Sequence, residues 1–222
     1  MDKSVIKIIK SIPKDRKLYN RDEDELISVG DVLSDKRYME SDSICPSKEH
    51  QAWYHYQRVM FRKGDAVTNK VDNKTVVYIG TFDGQSFWFL DKDMREFEDN
   101  IYSYIYANKK ETKSLYNKIE KQLLKNGCSA TSEGIEIVLD RFIRFNYSMS
   151  ANELSLLCNI TLKNGKNLII DFIGINEHPK SFYVEFFDGI GKGEELNDIL
   201  SKITLKNIRE RELMIIRDII KS

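Results

Sequence analysis

The sequence predicts an α+β protein, with a helical and hairpin N-terminal half followed by a four-stranded antiparallel meander flanked by helices. Three observations predict it. Apolar residues recur at helical spacing near both ends and in the middle of the chain. Asp83-Gly84 and Asn164-Gly165 stand between apolar runs, as in tight hairpins. Four strand-like runs succeed one another between residues 135 and 187. The helical and hairpin region is expected over residues 1–110 and the antiparallel region over 111–222, as two units or as one domain.

The first element is a short amphipathic helix. Val5, Ile8, Ile9 and Ile12 share one face, Lys3, Lys7, Lys10 and Lys14 the other, and Pro13 stops the pattern. Next, Trp53, Tyr56 and Met60 repeat at helical spacing after Pro46, with Ser43 or Ser47 as a cap. Two apolar runs, residues 75–80 and 86–90, flank the Asp83-Gly84 turn and form a hairpin whose faces are both covered. Phe97, Ile101, Tyr104 and Ile105 return to helical spacing, as do Leu115, Ile119 and Leu123 before Gly127. The meander is expected from strands at 135–147, 153–163, 168–175 and 181–187, and two apolar-periodic stretches after Gly193 give the closing helices.

Composition excludes several classes of function. Lys plus Arg and Asp plus Glu both number 35, so no global field steers the chain towards nucleic acid, an anionic membrane or an acidic partner. Any such binding has to be local. Cys45, Cys128 and Cys158 are odd in number and lack C-x-x-C spacing, which fits a reducing compartment without disulfides. No apolar run approaches the roughly 20 residues that span a bilayer, so the expected setting is cytoplasmic and a membrane partner is not expected.

Candidate sites follow from register. A two-residue turn at Asn164-Gly165 would place Asp171 opposite Cys158 on the apolar face, and a five-residue loop after it would place Glu185 opposite Asp171. Two carboxylates on adjacent strands can hold a divalent cation or split acid and base roles, which is the basis for reading them as catalytic or metal-binding. An ion pair of Asp171 with Arg141 or Arg144 explains the same residues without chemistry. The order of the two acids resembles a nuclease core built on Asp followed by Glu-x-Lys, but Phe187 stands where that lysine would activate water.

Residues 188–195, Asp-Gly-Ile-Gly-Lys-Gly-Glu-Glu, match no phosphate-loop fingerprint, and their glutamates would occupy the helix start themselves. His50 and His55 are five apart, off the spacing of a helical zinc pair, so no metal site is expected there. The same stretch interleaves aromatic and basic residues. Trp53, Tyr54, His55 and Arg58 are its candidate binding residues, since such side chains anchor protein interfaces and also bind single-stranded nucleic acid.

The expected function is a non-enzymatic interaction module, of inhibitor, immunity or accessory-subunit type, with another protein as partner and no cofactor. The alternative is a metal-dependent nuclease or phosphoesterase using Asp171 and Glu185 with a divalent metal. A nucleic-acid-binding regulator built on the Trp53–Lys63 stretch and the basic termini is a further alternative.

Overall fold

In the computed structural model, which describes residues 1–81, 83–125, 128–139, 151–174, 180–190 and 199–221, Asp2 starts the first helix. Its carboxylate accepts from the Ser4 backbone N–H, and α1 runs Lys3–Ser11. Ile9 and Ile12 are buried while Lys3, Lys7 and Lys10 are exposed, so the amphipathic pattern serves a core. The chain separates into two compact units, Met1–Asp91 with Glu96–Thr112 and Lys92–Arg95 with Lys113–Ser222. It combines helices with two antiparallel sheets in the first unit and a mixed sheet in the second.

The first unit holds two sheets. In one, β1 (Lys17–Asn20) lies between β2 (Glu25–Ser28) and β3 (Ile44–Cys45), antiparallel to both. Ser28 caps α2 (Val29–Ser34) and Asp35 caps α3 (Lys36–Glu40). Ile9, Leu18, Val29, Val32 and Ile44 form a core with Tyr56 and Met60 of α4 (Tyr56–Met60).

The second sheet has five strands: β4 (Ala66–Asn69), β5 (Thr75–Thr81), β6 (Phe87–Leu90), β7 (Glu96–Asp99) and β8 (Tyr104–Tyr106). Their order is β7-β6-β5-β4-β8, all antiparallel, so the last strand returns to pair with the first. The hairpin expected around Asp83-Gly84 is β5–β6, with Gly84 at φ 75°. Val76, Val77, Tyr78 and Ile79 are all buried, so β5 is covered on both faces. The helix expected from Phe97 to Ile105 is instead a strand, a 3-10 turn (Ile101–Ser103) and another strand. Phe97 and Tyr104 both pack on Phe89, and that cross-strand contact outweighs local periodicity.

A buried ion pair lies where the two sheets' chain segments meet. Arg16, just before β1, donates to both Asp65 carboxylate oxygens at 2.9 and 3.1 Å, and Asp65, just before β4, also accepts from Arg62 N–H. The side chains are 5% and 7% exposed.

The second unit overturns the expected meander. Helix α5 (Lys109–Lys125) begins in the first unit and continues into the second. After it, β9 (Ser129–Ala130) pairs antiparallel with β10 (Ile135–Val138), but β10, β11 (Leu168–Asp171) and β12 (Ile203–Lys206) run parallel in the order β12-β11-β10-β9. Parallel neighbours need crossovers, and helices supply them. The run 153–163 lies in α6 (Ala151–Lys163) and the run 181–187 in α7 (Lys180–Ile190), while α8 (Glu210–Lys221) follows β12.

The misreading has physical causes. Residues Leu154 to Thr161 are all buried, so α6 has no polar stripe to reveal its period. Asn164-Gly165 ends this helix rather than turning a hairpin. Gly165 N–H bonds Leu162 C=O, Lys166 N–H bonds Thr161 C=O, and Gly165 has φ 75°. These are the two bonds of a Schellman cap. In α7, Tyr183, Phe186, Phe187 and Ile190 are buried at helical spacing, a stripe hidden within an almost continuously apolar run. Of the strand expected over 135–147, Ile135–Val138 is present; residues 140–147, including Arg141 and Arg144, lie outside the described residues, as do Gly127 and Gly191–Glu195.

Removing one partner of the buried pair leaves the other charge uncompensated. Asp65→Ala is expected to destabilise the first unit by about 3–5 kcal/mol, read as a lowered denaturation midpoint against the wild-type chain.

Candidate functional site

The residue that organises the candidate surface is His55. It closes a 3-10 turn, Trp53–His55, which leads directly into α4. Upstream, Ser47 Oγ accepts the His50 N–H at 3.0 Å and folds residues 47–50 into a turn. Because the helix starts only after that turn, the spacing of five does not keep the two histidines apart. Their ring centroids are 5.7 Å apart, edge to face.

A second element contributes the next ring. The 3-10 turn Ile101–Ser103 is capped by Asn100, and the buried Ile101 and Tyr104 anchor it on either side, which leaves Tyr102 pointing outward. Tyr102 Oη lies 3.1 Å from His55 Nδ1. The ring of Tyr54 lies tilted by 41° against that of His55, with centroids 3.8 Å apart, and Tyr54 is 70% exposed. The result is a connected surface row of four rings, Tyr54, His55, His50 and Tyr102, three from one segment and one brought in by the second sheet.

The other expected binding residues have structural partners. Trp53 donates its indole N–H to Ile44 C=O at 3.2 Å and packs against the first core. Arg58 is exposed, and its guanidinium donates to Gly84 C=O at 2.9 Å, tying α4 to the β5–β6 turn. Tyr56, one residue past His55, is buried, and burial pushes its phenol up to about 12. Sequence reasoning missed Tyr102 and dismissed His50. Nothing local marks Tyr102, because its position depends on the five-stranded sheet, whereas His50 was legible once a turn was allowed before the helix.

Asp171 and Glu185 are not on facing strands. Asp171 ends β11 between Val138 and Lys206, and its Oδ1 accepts from Ile173 N–H at 2.8 Å and Asn207 Nδ2 at 2.7 Å. Glu185 lies on α7 and accepts from Asn152 Nδ2 at 3.0 Å. Cys158, expected opposite Asp171, is buried within α6. The register that joined them belonged to a hairpin replaced by a helix cap. The carboxyl edge of the parallel strands does gather polar groups, with Lys206 Nζ 3.3 Å from Glu136 and next to Asp171 in register. Among the described residues, no three His, Cys, Asp or Glu side chains are grouped to hold a metal. His178 lies outside the described residues.

No family model, curated protein or solved structure matches the chain. No helix among the described residues is long and apolar enough to cross a membrane.

The three thiols are free and buried, and each is held protonated by its surroundings. Burial raises Cys45, pushes Cys128 up to about 12 and raises Cys158 well above the ordinary range. A neutral buried thiol is a poor nucleophile. A disulfide-exchange reagent at neutral pH is therefore expected to label none of the three in the folded chain and all three in denaturant. Unfolded thiols ionise near about pH 8.5. The stability gained by keeping them neutral is thus complete below that pH and is lost as pH rises above it, so denaturation midpoints should fall on the alkaline side.

Proposed function

We propose that the chain is a non-enzymatic protein-interaction module, of inhibitor, immunity or accessory-subunit type, whose first unit docks a partner protein on the ring row around His55. The observation that carries this reading is the hydrogen-bonded contact of His55 with Tyr102 from a separate element, with the exposed Tyr54 ring tilted against His55. Large aromatic side chains dominate the energetics of protein interfaces because they desolvate much area with few rotatable bonds. His55 and Tyr102 are joined before a partner arrives, so less side-chain entropy remains to be lost at that pair.

The neighbouring groups suit such a role. Arg58, one helical turn on from Tyr54 and His55, donates to Gly84 C=O and stays exposed. Trp53 and Tyr56 root the turn in the core beneath. The buried thiols and the separate settings of Asp171 and Glu185 lend no comparable support to catalysis.

The test is partner capture with paired variants. Tyr54→Ala and Tyr102→Ala are expected to weaken binding to a partner recovered by the wild-type chain by at least about tenfold each, the scale of an anchor residue. Val71→Ala, at the exposed β4–β5 tip, should leave binding unchanged. Retention of full affinity by both tyrosine variants, with unchanged melting, defeats this assignment.

A further inference from the structure

A chain with no net charge carries a concentrated basic surface on its longest described helix. Between Lys113 and Lys125, α5 has four lysines against one glutamate. Leu115, Tyr116, Ile119 and Leu123 are buried, and Lys113, Lys118, Lys121 and Lys125 are all exposed on the remaining surface. Ser114 and Asn117 are exposed among them. At 1.5 Å per residue the lysines extend over about 18 Å.

The acid on this stretch is already engaged. Glu120 Oε2 accepts from Asn164 Nδ2 at 2.7 Å, and the same nitrogen lies 3.3 Å from Asn117 Oδ1. That contact seats the cap of α6 beside the middle of α5, and two residues on from Asn164 the exposed Lys166 adds a fifth cation. None of the five lysines makes an ion pair with a described residue.

The lysines of α1 form no equivalent surface. That helix packs against α2, and the segment carrying α2 and α3 is acid-rich, including Asp31, Asp35, Glu40 and Asp42. Asp42 pairs with the N-terminal ammonium just ahead of α1, while Asp35 and Glu40 pair with Arg37 and Lys36 of their own segment.

We infer that the lysine face of α5, with Lys166, is a docking surface for the phosphate backbone of a nucleic-acid duplex, read without regard to sequence. Charge complementarity selects a polyanion. A lysine row on one rigid helix matches the regular phosphates of a duplex. Single strands are disfavoured because binding them draws on exposed rings for base stacking, and this face carries none. Lysine acts as a point charge without the bidentate geometry that reads base edges, so the contact positions a duplex and does not identify it. This inference is independent of the ring row of the first unit.

The experiment is fluorescence anisotropy of the full chain with duplexes of about 20 base pairs, DNA in one arm and RNA in another, between about 25 and 200 mM salt. Four to five phosphate contacts predict a slope of log K against log salt of about −4 on DNA. Lys118→Gln/Lys121→Gln should reduce it to about −2 and weaken binding at the lowest salt by at least about tenfold. These positions are exposed, and an unchanged melting temperature will show that the variant folds. Lys3→Gln/Lys7→Gln on α1 should leave the slope unaltered. Binding in both arms supports a backbone surface. Absence of binding at the lowest salt overturns the inference, as does a slope that responds to the α1 variant and not to the α5 variant. Binding of polyglutamate without either duplex overturns it in favour of an acidic protein partner.

Discussion

The first unit depends on the pairing of Arg16 with Asp65. Arg16 leads into β1 of the three-stranded sheet and Asp65 into β4 of the five-stranded sheet, so the pair fixes two chain segments 49 residues apart. Backbone bonds reinforce both ends, since Val29 N–H donates to Arg16 C=O and Tyr78 N–H donates to Asp65 C=O. A charge this deeply withdrawn from water is tolerated only with its counter-charge in hydrogen-bonding geometry, which makes the pair costly to break. The segment from His50 to Arg58 lies between β3 and β4 in the chain, and its rings meet Tyr102 because both sheets are held in place. Tyr106 adds a second tie by donating to Met60 C=O at the end of α4.

What the sequence disclosed and what it hid divide along the range of the interactions involved. The hairpin at Asp83-Gly84 and the helix from Leu115 to Leu123 were legible because turn chemistry and amphipathic spacing are local. Asn164-Gly165 was legible as a site of positive φ but not as to which structure it ends, since a hairpin turn and a helix cap make the same demand on the backbone. The alternation of Leu154, Leu156, Cys158, Ile160 and Leu162 was consistent with a strand, yet Leu157, Asn159 and Thr161 between them are buried as well. A helix enclosed on every side leaves no polar face, and only the parallel strands around it in sequence reveal that a crossover is required there.

The candidate site follows the same division. Tyr54 and His55 could be named from their neighbourhood in sequence, whereas Tyr102 joins them through a tertiary hydrogen bond that no spacing encodes. Asp171 and Glu185 show the converse. Their proposed pairing was inferred from register, and register has meaning only if both residues are on strands.

The two surfaces also differ in how a balanced composition conceals them. A formal charge of zero describes the field far from the chain, but screening at physiological salt confines each charge to about 8 Å, so a ligand at the surface senses the local set. On α5 that set is lysines, while on α1 it includes the acids of its neighbours. A row of rings such as the one around His55 acts, when it binds, at still shorter range, through desolvation and contact, and is indifferent to net charge. Were both proposed surfaces used, one would attract over several ångströms and the other would discriminate on contact. Electrostatic encounter would then raise the local concentration of whatever is attached to the polyanion, and contact complementarity would decide which of those molecules is retained.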